Sequence, residues 1–397
     1  MTIDRPRGAI MELYRQAQSK LPESLSLPLQ LPTMYEDFVT RNASSVSQIE
    51  SALRSLTYII PGRFRESEIA SESLHSGVQL LSLYHDSLLA KAVARLPMSI
   101  PRPQPTPHNR YTKFWTAKSP LYKRIALLLQ MIQYTELLWE MAAKRKGEKI
   151  RWRVVVVLEI VKAFSRLLLM RLTNSRPLVS PPLPEREVDP RTLEEETDKS
   201  QWDGMATLPQ SESSDGSLAW TMPRTGLSLP SLPDTSEISE FLLKKVLTAD
   251  DIKPPKQLLH RMSTAQGQLV EVMWILRPVI YALAMQRWKG NKKSWRPWLV
   301  GVSLELGVRQ LAKRDLGERV AGGLRGLTGL EREELKRRGW GMGWWLMRGA
   351  FYETFTKAWI RGVTGRLRNK PLLDMVGGVI EDYEYLWDEY YFSTATM

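Results

Sequence analysis

The chain has 397 residues, enough to bury a sizeable core, and its 56 Lys and Arg against 43 Asp and Glu leave a formal charge of +13. That excess favours an anionic partner, either nucleic acid or an acidic membrane surface. The absence of cysteine excludes disulfides, thiolate metal sites and cysteine nucleophiles and points to a reducing compartment, while 14 Trp beside 8 Phe favour a setting that is oily on one side and wet on the other.

Helical periodicity dominates, without strand-type alternation, so the expected class is all-α. In chain order, Ser45 and Gln48 suit a capping box for a helix from about 45 to 60, which Pro61-Gly62 would stop. A second helix is expected from about 66 to 95, where Leu74, Val78, Leu81, Tyr84 and Leu88 recur every three or four residues. The PRPQPTP stretch then forbids continuation. Two more apolar helices are expected at about 119–146 and 150–172. From Thr173 to Ser236, nine prolines, many Ser, Thr and acidic residues and few large apolar groups predict a disordered linker. Helical pattern resumes near Glu237, with breaks at Pro254-Pro255, Gly290-Asn291 and 317–329, and Thr328 to Glu331 suits another capping box. The expected organisation is an N-terminal helical region (1–172), the linker (173–236) and a C-terminal helical region (237–397). The N-terminus, MTIDRPRGAIMELYRQ, has charges where a signal peptide needs an apolar block, and Ala395-Thr396-Met397 is not a Ser-Lys-Leu-type address. Neither the secretory route nor an organelle matrix is expected.

No run of eighteen residues is free of charge, so membrane crossing has to be weighed by magnitude. Val154–Leu172 holds thirteen large apolar residues, favouring the bilayer by roughly 4 to 8 kcal/mol, but Glu159, Lys162 and Arg166 would cost about 2.5 to 3.5 kcal/mol each. Isolated insertion is unfavourable. At 100° per residue those three charges fall within about 60° of one another and leave a wide oily face. Such a helix lies in an interface, packs its polar side on a neighbour, or sits in a soluble core with a solvated stripe. Leu269–Met285, with Arg277 alone near its centre and Pro278 as a kink, is the better spanning candidate, and Leu299–Leu311 could return. The turn between them, WKGNKKSWRP, sets Trp288, Lys292, Lys293, Trp295, Arg296 and Trp298 together as a headgroup-level anchor. The competing reading of that basic, Trp-rich stretch is a soluble nucleic-acid-binding helical protein.

Catalytic signals are weak. The four histidines are scattered, no GxSxG elbow or phosphate loop is present, and no metal or cofactor is expected. The expectation is a non-enzyme without a small-molecule substrate.

Several separated stretches together resemble the peroxin-16 family of peroxisomal membrane biogenesis proteins. Tyr35-Glu36-Asp37-Phe38-Val39-Thr40-Arg41 is similar to its opening, and Gly62-Arg63-Phe64 to its Gly-Arg-Phe turn. Arg277-Pro278, Ser294-Trp295-Arg296-Pro297-Trp298-Leu299 and Leu346-Met347-Arg348-Gly349-Ala350-Phe351-Tyr352 follow in the family's order. The resemblance implies a non-enzymatic protein of the peroxisomal membrane, and in some organisms of the endoplasmic reticulum, that helps membrane proteins arrive there. Peroxin-3-like and peroxin-19-like proteins would be its partners, and topology within the family ranges from two spans to peripheral attachment. The family's basic targeting stretch is represented here by Lys91 and Arg95.

Overall fold

A computed structural model describes residues 34–39, 41–63, 68–95, 105–186, 253–288, 290, 293–320, 323–367 and 373–395. Among them the regular structure is helical throughout. The helices are α1 (Ala43–Arg63), α2 (Glu68–Arg95), α3 (Pro107–Lys118), α4 (Pro120–Arg145), α5 (Glu148–Leu172), α6 (Ala265–Arg287), α7 (Trp295–Arg319), α8 (Gly329–Gly341), α9 (Lys357–Leu367) and α10 (Leu373–Glu389). A short helix at Gly349–Phe351 runs through a π turn, Tyr352–Thr356, into α9.

Local chemistry sets most of these boundaries. Pro107 and Pro120 open α3 and α4, where a missing N–H costs nothing, behind Thr106 and Ser119, whose hydroxyls accept from Asn109 N and Tyr122 N. Gly147 joins α4 to α5 at φ +118, a backbone that only glycine adopts without strain. Thr264 caps α6 through Gly267 N at 3.1 Å, and the expected capping box of Thr328 and Glu331 opens α8. At the N-terminal end the outcome differs from expectation: α1 begins at Ala43, so Ser45 lies inside it, and the helix runs through Pro61 and Gly62 to Arg63. Proline constrains the residue before it, but one turn of helix at its end survives because few backbone bonds remain to be lost there.

The two helical regions pack on one another. α5 lies between α4 and α6, and α6 lies against both α5 and α7, while α10 reaches back to α1. α4–α5 and α6–α7 are antiparallel hairpins. α5 and α6 also run antiparallel, because Trp152, Val155 and Val156 meet Tyr281 and Ala282, whereas Leu169 meets Leu258 and Leu259 just before α6.

The expected linker starts too early. Residues 173–186 are packed, and side chains satisfy their backbone: Leu178 N and Ser180 N donate to Glu271 and Glu334 at 3.0 and 3.3 Å, and Glu185 N to Asn109 at 2.7 Å. Pro181 and Pro182 carbonyls accept from His108 and Tyr122. Composition signalled an unpackable stretch, yet proline has no N–H to bury, and its carbonyl neighbours found donors. The rest of the expected linker and the resumed helix near Glu237 lie outside the described residues up to Lys253.

α2 rests on α4, with Ser76 Oγ donating to the Tyr134 carbonyl at 2.8 Å. One turn earlier, Glu72 is buried, and desolvation pushes its carboxyl up to about 7 against the opposing Ser76 hydroxyl. Between about 4.5 and about 7 the folded state retains a proton that the unfolded chain releases, so stability falls as pH rises through this window and is level above it. Glu72→Gln is expected to abolish this slope and to be more stable than wild type at pH 8, checked by unfolding midpoints across pH in detergent.

Candidate membrane interface

The α4–α7 layer is charged inside and oily outside. On α5, Glu159, Lys162 and Arg166 are 1, 2 and 5 % exposed, whereas Val157, Ile160 and Phe164 are 56, 48 and 61 % exposed. Between the exposed Arg153 and Arg171, every residue of α5 with accessible surface is apolar. Those 17 residues separate the two arginines by about 27 Å of helix, close to the hydrocarbon thickness of a bilayer. α4 repeats the arrangement: Lys123 and Arg124 lie near its start, Lys144, Arg145 and Lys146 at its end, and the acids between, Glu136 and Glu140, are buried under a face that exposes Leu128, Met131 and Trp139. On α6, Glu271 and Arg277 are buried, Leu269, Ile280 and Leu283 are exposed, and α6 is the one helix among the described residues that is apolar and long enough to cross a membrane by composition. α7 turns Glu305 inward and Leu299, Val300 and Leu306 outward over its first half only; beyond Gly307 it exposes Gln310, Lys313, Arg314 and Glu318.

Most of these buried charges are paired, several across a helix boundary, and Arg166 is the exception, with no ion pair of its own among the described residues and one guanidinium nitrogen unpartnered. Lys162 Nζ bridges Glu136 on α4 at 2.7 Å and Glu159 on its own helix at 3.0 Å, with Phe392 beneath it at 4.8 Å. Arg166 lies in the field of the same two carboxylates. Arg277 pairs with Glu305 of α7 at 2.7 Å, and Glu305 also holds Arg309 at 2.9 Å and accepts from the Trp345 indole at 2.7 Å. Arg338 of α8 reaches Glu271 at 2.7 Å. Glu140, completely buried, accepts from Arg151 at 2.8 Å and from the backbone N–H groups of Tyr391 and Phe392 at 2.7 and 2.8 Å. The sequence marks Glu159, Lys162, Arg166 and Arg277 as helix charges but gives no sign that Glu136 and Glu305 answer Lys162 and Arg277, or that Glu140 and Glu271 take Arg151 and Arg338; the only available hint is that acidic and basic residues recur inside the same apolar windows.

The expected Trp-Lys turn is the α6–α7 connection, and its residues divide. Trp298 is structural: its indole N–H donates to the Trp345 carbonyl at 2.9 Å and its ring stacks on Phe351. Trp295 stands at the edge of that stack, about a third exposed, beside the exposed Phe355. Lys293, Arg296 and Arg287 are exposed, Trp288 is half-buried, and Lys292 lies outside the described residues. Gly301 lets α7 approach this cluster, since a methyl there would overlap the Trp345 ring.

The remaining motif residues are dispersed. Tyr35 bonds His85 Nε2 at 2.6 Å and stacks on Tyr84, Arg41 is exposed, and Pro278 offers its carbonyl to the Tyr391 hydroxyl at 3.4 Å. Pro297, Arg348 and Tyr352 line one cavity. Gly62 and Arg63 end α1, and Phe64 lies outside the described residues. Lys91 is exposed on the last turn of α2, and Arg95 ends that helix. Among the described residues no three metal-ligating side chains converge.

Glu305→Ala strands Arg277 and the Trp345 N–H in the interior and is expected to cost about 3–5 kcal/mol, with Glu305→Gln costing less. Phe164→Ala, on the outer face, is expected to change detergent-state stability by less than about 0.5 kcal/mol. Unfolding midpoints of the three variants check this ordering.

A family model described as peroxisomal membrane protein (Pex16) matches residues 33–389. The peroxisomal membrane protein PEX16 of Schizosaccharomyces pombe is 25% identical over 337 residues, covering 82% of this chain and 88% of the relative. The peroxisome biogenesis protein 16 of Arabidopsis thaliana is 23% identical over 365 residues, covering 85% and 93%. No solved structure matches significantly. With its family match running from the first described turn to the end of α10, the chain belongs to the Pex16 family of peroxisomal membrane proteins.

Proposed function

We propose that this protein is a non-catalytic peroxisome biogenesis factor, with the α4–α7 layer embedded in the peroxisomal membrane and the remaining helices offered to partner proteins. The observation that supports the reading most strongly is the inversion of α5, where charges point to neighbouring helices and every accessible residue over about 27 Å is apolar. An isolated α5 would be rejected by hydrocarbon. Paired with α4 and α6 it presents only its oily side, and Glu159 and Lys162 are neutralised inside the protein, together with Glu136. Arg145, Lys146 and Arg153 at one end and Lys123, Arg124 and Arg171 at the other would then sit at the two headgroup layers. Trp295 and Arg296 join the first of these ends.

The chain's role would be to help recruit and insert peroxisomal membrane proteins, with peroxin-3-like and peroxin-19-like proteins as partners, at the peroxisome or on the way through the endoplasmic reticulum. The S. pombe and A. thaliana relatives, named for the peroxisomal membrane and for peroxisome biogenesis, support the broader part of this assignment.

The absence of native cysteine gives a direct test, because any introduced thiol is the only one. Phe164→Cys, at the centre of the outer face of α5, is expected to react with a membrane-impermeant maleimide at least about tenfold more slowly in membranes than Lys146→Cys, since hydrocarbon suppresses the thiolate. Equal labelling of the two, or recovery of the wild-type chain in the soluble fraction after alkaline carbonate, would overturn the embedding.

A further inference from the structure

A cavity of about 510 Å³ opens where α5, α6, α7, the Met347–Glu353 segment and the end of α10 meet. It lies at the end of the layer that bears Arg287, Arg296 and Trp295. Its walls are mostly aromatic and apolar, including Trp152, Met285, Trp288, Pro297 and Trp298. Two of the lining side chains, Tyr281 and Tyr352, are each 2 % exposed, and neither phenol oxygen has a hydrogen-bond partner. A buried hydroxyl left in that state is destabilising, so each calls for an acceptor that the protein does not supply.

The charges around the cavity reinforce the point. Its carboxylates are paired: Glu148 with Arg151, Glu389 with Lys144, and Glu353 and Asp388 with Lys357. Arg348 differs. Its guanidinium donates to the Thr394 carbonyl at 2.9 and 2.6 Å and lies over the Tyr281, Trp345 and Tyr391 rings, and among the described residues it forms no ion pair with a carboxylate. Burial, and then Asp388, Glu384 and Glu353, raise the Tyr352 phenol above its ordinary value, so it remains a donor at any physiological pH. Gly349, at φ +54, brings the backbone in until a methyl there would touch both the Tyr281 hydroxyl and Trp298. The cavity thus offers donors and one cation to its occupant, within oily walls, at the depth of a headgroup.

We propose that this cavity binds the phosphodiester head and glycerol backbone of a membrane phospholipid, with Tyr281, Tyr352 and Arg348 as donors to its oxygens and Trp288, Trp298 and Met285 against its glycerol and first methylenes. The assignment rests on the membrane-embedded reading of the α4–α7 layer. A free phosphate would find the same donors, but the apolar walls and the position beside the Trp295 edge favour the lipid form.

Native mass spectrometry of the full chain, released from membranes in mild detergent, tests the proposal. Wild type is expected to retain one phospholipid per chain. The double substitution Tyr281→Phe with Tyr352→Phe, which removes two oxygens and leaves the rings, is expected to lower that occupancy at least fivefold while its melting temperature holds or rises. Met285→Trp, which fills the cavity from its apolar side, is expected to do the same. A wild-type chain without bound lipid, or undiminished occupancy in both variants, would overturn the proposal. Saturable binding of inorganic phosphate or soluble glycerophosphocholine to the lipid-free chain, with no preference for phospholipid, would overturn the lipid form of the ligand. Rapid maleimide labelling of Phe164→Cys together with retained phospholipid would sink the embedded layer and leave the cavity assignment intact.

Discussion

Neutralisation of buried charge governs how this helix layer is assembled. An unpaired carboxylate or guanidinium in the interior costs several kcal/mol, more than one side chain's apolar burial returns. Here Glu136, Glu140, Glu271 and Glu305 are each held by a cation from another element, so Glu136 fixes α4 against α5 through Lys162, and Glu305 fixes α7 against α6 through Arg277. A shift of one helix by a single residue would separate these partners while leaving most apolar contacts replaceable. Dispersion and oil alone would tolerate many alignments of such smooth helices. The ion pairs select one.

This constraint also shows what the sequence could and could not reveal. The α4, α5 and α6 boundaries were legible to within a few residues because proline, glycine and hydroxyl caps act locally. The direction of the charges was not. A stripe of Glu159, Lys162 and Arg166 reads the same whether water or a neighbouring helix faces it, and the answer depends on Glu136, twenty-six residues away from Lys162. Composition misplaced the start of the linker for a related reason: the Pro-rich 173–186 stretch owes its order to Glu271, Glu334 and Asn109, none of which is near in sequence.

The tryptophans illustrate a second division. Indoles that a sequence reader groups into one anchor have separate duties here, with Trp298 and Trp345 tied into a hydrogen-bond chain that ends on Glu305, and Trp295 left at the rim. An amphipathic ring serves equally well in a corner that needs one donor and at a surface that is half wet. Family resemblance identified the stretch, but only the packing around Gly301 and Phe351 separates the two uses.

The clamp on Glu140 has a temporal consequence. Its backbone donor at Tyr391 lies 251 residues further along the chain, whereas Arg151 follows after only 11. At translation rates of 5–20 residues per second, roughly 13–50 s separate the emergence of the carboxylate from that of its backbone donor. Through that interval the first hairpin carries an incompletely solvated anion inside an otherwise oily surface. It is a nascent chain that needs shelter from aggregation, and its final closure belongs to the period after most of the polypeptide has been made.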